Sequence, residues 1–211
     1  MFFLFGERVR TEMSPQGEKS CPVCLNQQQF CEHAESLWFS LFQIPLLKIE
    51  DRGLYWRCEN CLNPFFVNNV SVPSHVLTVQ QIVVYILLGY GYYGKKNVAK
   101  DISFKVTGFE LNDEQFVQFS RQLGSGHEEM VDLVRKSAPA MNAVGKQAVI
   151  EAAFLTTYTC CDLQYEDRLR INLVGNALGV GLDFVEYAID NVRKQSYLGI
   201  KRLSQLSPPV R

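Results

Sequence analysis

Two short stretches, Cys21-Pro22-Val23-Cys24 and Cys58-Glu59-Asn60-Cys61, govern how the first third of the chain reads. A CxxC loop presents two thiolates to one ion, and two such loops complete the tetrahedral four-cysteine coordination that zinc takes in structural sites. The spacing therefore predicts that the residues before Val72 fold as strands and turns that gather Cys21, Cys24, Cys58 and Cys61 around one Zn²⁺ per chain. A redox or disulfide role and a catalytic metal are the competing readings. The pattern builds in no open coordination position, which favours a closed structural site. Cys31 and His33 lie between the pairs as alternative ligands, but two CxxC loops already fill a tetrahedron.

Outward from the cysteines, Phe30, the run from Leu37 to Ile44, Leu54-Tyr55-Trp56-Arg57 and Phe65-Phe66-Val67 are rich in strand-favouring residues. Asp51-Arg52-Gly53 has the composition of a turn just ahead of the second cysteine pair. A hairpin-rich segment of this size has a thin core. A structural zinc site contributes on the order of 10–16 kcal/mol of apparent binding free energy that is also folding free energy, so metal is expected to decide its order.

Across all 211 residues, 47% are hydrophobic, the composition of a folded protein, and the formal net charge is −1. No global field draws such a chain to nucleic acid or anionic lipid. Residues 1–72 carry 6 basic and 8 acidic side chains, and residues 73–211 carry 15 and 14, so neither segment departs from this balance. Seven cysteines, clustered in CxxC pairs, point to metal in a reducing compartment, the cytoplasm, rather than to a disulfide scaffold. The opening Met1-Phe2-Phe3-Leu4-Phe5-Gly6-Glu7-Arg8 lacks the basic region and cleavage site of a signal peptide and reads as a strand. The apolar run Ile82 to Leu88 is too short to span a bilayer, so no transmembrane segment is expected and peripheral membrane contact is disfavoured.

The short apolar opening, Cys21-Pro22-Val23-Cys24, the central Trp38-Phe39-Ser40-Leu41-Phe42-Gln43-Ile44-Pro45-Leu46 and Cys58-Glu59-Asn60-Cys61 together resemble the small bacterial zinc-ribbon family proteins over residues 1–70. The resemblance implies a zinc held by Cys21, Cys24, Cys58 and Cys61, and no defined reaction.

After Pro73 and Ser74 the apolar residues recur at helical spacing. Gln147 to Tyr158, Leu169 to Leu178 and Leu182 to Val192 read as helices, with Gly179 and Gly181 separating the last two. Asn112-Asp113-Glu114-Gln115 has the form of a capping box ahead of another helix, which Gly124 and Gly126 are expected to end. The alternating stretch Ile102 to Phe109 leaves helix and strand both open. Gly89-Tyr90-Gly91-Tyr92-Tyr93-Gly94 matches the dinucleotide fingerprint literally. That fingerprint needs further βα units, and none follow, so the glycines are read as ending or bending a buried helix.

Cys160 and Cys161 stand beside Asp162, Glu166 and Asp167. As chemistry, Asp162 and Glu166 offer hard oxygen ligands and Cys160 and Cys161 soft ones, a possible second metal site. As structure, the thiols end a buried helix and the acids favour the positive start of the next. The region from Ala148 to Val192, through Ala152-Ala153-Phe154, Cys161-Asp162 and Asn176-Ala177-Leu178-Gly179-Val180, resembles the tellurite-resistance TerB-like helical domain, extending over residues 76–194. The resemblance implies a compact all-helical unit acting through protein contacts in stress-related assemblies. Some such domains carry an acidic metal site at an Asp-Gly turn. Here Leu163 follows Asp162, which departs from that pattern.

The fold class expected is α+β: a small β-rich four-cysteine zinc ribbon over residues 1–72, an all-α TerB-like helical domain over residues 73–194, and a C-terminal tail over residues 195–211 read as a packed or frayed helix end. His33, His75 and His127 fall in segments that read as loops or helix starts, with no sequence-local nucleophile or acid partner, so the reading leans away from an enzyme. The function expected is that of a non-enzymatic zinc-binding interaction or scaffold protein working through a protein partner, with Trp38 and Phe42 as anchors. A nucleic-acid-binding ribbon and a metal or metalloid sensor built on residues 160–167 are the alternatives.

Overall fold

A computed structural model describes residues 5–42, 44–122 and 127–203. Its architecture is α+β: a curled four-stranded antiparallel sheet, followed by a largely helical region. Chain contacts divide it into two compact units, the first running to Ser74 and including Pro139–Asn142, the second formed by His75–Ala138 and the chain from Ala143 onward.

The first unit consists of β1 (Phe5–Cys21), β2 (Asn26–Leu41), β3 (Ile44–Cys58) and β4 (Pro64–Phe66), in the order β1-β2-β3-β4. Fifteen to seventeen residues per long strand is about 50 Å of extended chain, far more than the few strand-rich patches legible in the sequence. The core lies at the cysteine end. There Cys21, Phe30, Cys58 and Phe65 are fully buried, the two rings meet at 5.5 Å, and Trp56 and Val70 pack against them. Asp51-Arg52-Gly53 is not the turn its composition predicts. It lies inside β3, where Gly53 pairs with Glu35 and Asp51 with Ser36, leaving Arg52 as a bulge. Turn and bulge ask for the same residues, and the partner strand decides between them. The bare Cα of Gly53 also admits Pro139, since a Cβ there would stand 3.3 Å from the proline ring. Ser74 Oγ donates to the carbonyls of Pro64 and Ala140, tying Pro139–Asn142 to the sheet unit.

The helical unit comprises α1 (Ser74–Gly89, from His75), α2 (Lys96–Thr107), α3 (Asp113–Gln122), α4 (His127–Ser137), α5 (Ala143–Cys160), α6 (Tyr165–Ala177) and α7 (Leu182–Lys194). Helices α1 and α5 are apolar nearly all round, the pattern of buried helices. Val76, Val79, Ile82, Val83 and Leu87 of α1, and Val149, Ile150, Ala152 and Leu155 of α5, are at most 1% exposed. Thr156, Thr157 and Thr159 are tolerated in that interior because each hydroxyl donates to the carbonyl four residues back, at 2.7–2.8 Å. Helix α5 packs against α2, α6 and α7. Gly175 sits in mid-α6, where glycine costs about 1 kcal/mol, because a Cβ there would run into a Val185 methyl.

The capping box forms as predicted: Gln115 N–H donates to Asn112 Oδ1 at 2.8 Å and Asn112 N–H to Gln115 Oε1 at 3.1 Å. Residues 102–107 are helical, within α2. Ile82 to Leu88 is helix where the dinucleotide fingerprint requires a strand, and Gly91, at φ 80°, follows its end. Gly179 takes φ 68° between α6 and α7. Gly124, Gly126 and residues 204–211 lie outside the described residues. The part of the tail that is described packs: Ile200 and Leu203 are buried, and Tyr197 stacks on Tyr158 at 4.0 Å. Among the described residues no helix is long and apolar enough to cross a membrane.

Candidate metal centre

The two cysteine loops are near copies of one another. Each reads Cys-x-x-Cys-Leu-Asn, residues 21–26 and 58–63. In each, the N–H of the leucine returns to the carbonyl of the first cysteine, Leu25 to Cys21 at 2.8 Å and Leu62 to Cys58 at 2.9 Å. Both leucines adopt φ 58°, a left-handed conformation unusual for a residue with a Cβ. Leu25 and Leu62 are the structural residues that spacing alone does not reveal. The repeated Leu-Asn after each second cysteine is the signal that marks them. The first loop joins β1 to β2 and the second follows β3, so the antiparallel pairing of β1, β2 and β3 delivers both to one end of the sheet.

All four sulfur atoms lie within 4.8 Å of one another. Cys21 and Cys61 Sγ are 3.7 Å apart, and Cys24 and Cys58 Sγ 3.9 Å. A tetrahedron of sulfurs at about 2.3 Å from a central ion has edges of about 3.8 Å, so the arrangement fits a four-thiolate metal ion. Asn60 Nδ2 donates to Cys24 Sγ at 3.3 Å and the Cys24 N–H to Cys21 Sγ at 3.5 Å, the N–H···S contacts that steady thiolates.

Burial acts against thiolates in the cluster. Burial pushes the Cys21 thiol up to about 12 and also raises Cys58, against opposing amide contacts. At Cys61 burial also acts upward, but the Asn63 amide, the Asn63 side chain and the neighbouring sulfurs outweigh it, and that thiol is lowered. Protons therefore hold part of the cage neutral unless a cation displaces them.

The other sequence candidates are placed differently. Cys31 lies on β2 opposite Pro15 and Arg57, and His33 stacks on Tyr55 at 5.2 Å. His75 is at a helix start as expected, in the first turn of α1, whereas His33 is in mid-strand rather than in a loop, and both are buried. Burial lowers both, His75 to about 4.

At the end of α5, Cys160 is buried and Cys161 Sγ donates to the Thr157 carbonyl at 3.4 Å and to Asp167 Oδ2 at 3.5 Å. Asp162 turns to Arg202, and Glu166 is exposed. The acid beside Cys161 is Asp167, which accepts from the Gln164 N–H at 2.9 Å and from the Tyr90 hydroxyl, so it caps α6. Cys160, Cys161, Asp162 and Glu166 are thus not brought to a common point. Among the described residues, Cys21, Cys24, Cys58 and Cys61 are the one group of three or more histidine, cysteine or acidic side chains whose ligand atoms converge.

No protein-family model matches the chain, and neither a curated protein nor a solved structure does, so what the centre does rests on the chemistry of its own residues.

Proposed function

We propose that the chain holds one structural zinc ion through Cys21, Cys24, Cys58 and Cys61 and works as a non-enzymatic interaction protein whose metal fixes the surface offered to a protein partner. The convergence of the four sulfurs carries the reading. Zinc supplies the charge that offsets four thiolates and ties β1, β2 and β3 at one end. Four protein ligands leave no position for a reactant, so the role is structural.

The surface fits the second half of the reading. Phe42, Ile44 and Leu47 are 56–68% exposed near the hairpin joining β2 to β3, at the opposite ends of those strands from the cysteines. Apolar groups of this kind serve as partner anchors. Trp38 is a lesser anchor, half-buried, with its Nε1–H donating to Ser36 Oγ at 2.9 Å and Arg10 stacked on its ring at 5.5 Å. A protein partner is favoured over nucleic acid because residues 1–72 offer only 6 basic side chains against 8 acidic ones. Seven cysteines with no disulfide among them accord with a reducing compartment, which we take to be the cytoplasm.

The test is affinity capture with the full chain, the Cys58→Ser variant and a Phe42→Asp/Leu47→Asp variant. The expected result is a specific protein retained by the first and lost from both others, with zinc retained by the Asp variant. Retention by all three, or recovery of nucleic acid instead, contradicts the reading.

A further inference from the structure

The two open sides of the long strands are built differently. The outer side of β3 is covered by β4 at Tyr55–Arg57 and open before it, and there it is broken three times: its register against β2 skips Arg52, Ile49 and Leu46, and Pro45 follows. Bulges and proline of this kind twist an edge away and block strand addition. The free edge of β1 has no bulge from Phe5 to Pro15 and no proline before Pro15. Its eleven residues pair with β2 without a register shift until Pro15/Gly17, and every one of them is exposed. A long regular edge is a template for another strand.

The sequence of β1 names the strand it fits. In a two-fold antiparallel pair centred on Thr11, opposite residues are Thr11 with Thr11, Arg10 with Glu12, Val9 with Met13, Arg8 with Ser14 and Glu7 with Pro15. Facing side chains in such a pair stand about 4.5–5.5 Å apart. Each copy then sets one arginine against one glutamate on one face and Val9 against Met13 on the other, where these two side chains are 45% and 67% exposed. Neighbouring registers lose this match. Centring on Arg10 sets Arg10 against itself, centring on Glu12 sets Glu12 against itself, and centring on Val9 sets Arg8 against Arg10. Arg10 can accept the new partner without leaving Trp38, because a guanidinium stacks through its face and hydrogen-bonds through its edge. The pairing stops at Pro15, just where the bulge begins.

We propose that two copies of this chain associate by antiparallel addition of β1 to β1 over Glu7–Pro15, with Thr11 on the two-fold axis, so that the sheet continues across the dimer. This goes beyond the metal reading and rests on it only for the order of β1. Metal content reports on the cage and association state on the edge, so either can fail alone.

The test is sedimentation of the metal-loaded full chain over a concentration series, with Arg10→Glu, Glu12→Arg and the double exchange Arg10→Glu/Glu12→Arg. The wild type is expected to dimerise and the dimer to weaken with salt. Each single variant puts like charges face to face and is expected to weaken association by about ten-fold or more. The double exchange restores unlike pairs and is expected to restore the dimer. A wild type that stays monomeric, single variants that dimerise as well as it does, or a double exchange that stays monomeric each overturns the proposal. Hydrogen exchange of the wild type gives a reading free of substitutions: amides in residues 7–15 are expected to slow as concentration rises, and unchanged rates overturn the proposal as well.

Discussion

The sheet unit buries Cys21, Phe30, Cys58 and Phe65 at one end of strands whose other end carries exposed Phe42, Ile44 and Leu47. The helical unit instead encloses two apolar helices, with Val76, Val79, Ile82 and Leu87 on one and Val149, Ile150, Ala152 and Leu155 on the other. Two of the four core side chains at the cysteine end are thiols, and Leu37 and Tyr55 are the further apolar side chains the sheet buries. Phe30, Phe65, Leu37 and Tyr55 together supply about 6–12 kcal/mol of burial, too little to order strands of this length. On the proposed reading the difference teaches where each unit's stability resides: in a metal ion for one, in apolar area for the other.

The strongest way to break the comparison is to remove the metal. Chelation or Cys58→Ser is expected to withdraw the on the order of 10–16 kcal/mol that a four-thiolate zinc contributes. Hydrogen exchange should then show β1, β2 and β3 exchanging freely while α1 and α5 stay protected. Equal loss in both units would show that they share one source of stability.

Acid separates the units next. His75 is held neutral by burial, at about 4 against an ordinary 6.5. Its contribution is complete above pH 6.5 and is lost as pH falls toward 4, by up to about 3 kcal/mol. His75→Gln is expected to flatten the pH dependence of helical-unit unfolding in that window. The cage's own dependence has two signs. Without metal, the raised Cys21 and Cys58 thiols favour the fold below about pH 9 and cease to do so as pH rises. With metal, protons compete for the sulfurs and stability falls as pH drops. Metal release followed by a chromogenic chelator across the pH range reads the second sign directly.

A smaller effect, confined to the helical unit, comes from Gly175→Ala. The new methyl meets Val185 where α6 and α7 cross, and a loss of about 1–3 kcal/mol is expected from thermal unfolding, with metal content unchanged. The smallest effect has the opposite sign. Leu62 is exposed and left-handed, so Leu62→Gly is expected to stabilise the metal-loaded sheet unit by about 1 kcal/mol, read as tighter metal retention against a chelator.

What was legible in the sequence was local. Two CxxC loops foretell one cluster because the spacing is itself the chemistry, and Asn112 with Gln115 foretells a cap because both partners lie within four residues. What escaped was set by distant partners. Ile102-Ser103-Phe104-Lys105-Val106 alternates like a strand, yet α2 buries Ala99, Ile102 and Ser103 at helical spacing and leaves Phe104 half exposed. Arg52 becomes a bulge beside paired Gly53 because β2 continues alongside. Asp167 rather than Glu166 meets Cys161 because one residue turns a helix face by 100°, and the phase of α6 is fixed by packing. Polar β1, with Glu7, Arg8, Arg10 and Glu12, carries little strand signal of its own and is strand because β2 pairs with it.

Metal stoichiometry with sulfur coordination tests the central claim most directly. Elemental analysis and X-ray absorption of the purified full chain are expected to give one zinc per chain with four sulfur neighbours at about 2.3 Å, both lost in Cys58→Ser. A chain without metal, cystine bridges among the four residues, or a first shell of nitrogen and oxygen would contradict it.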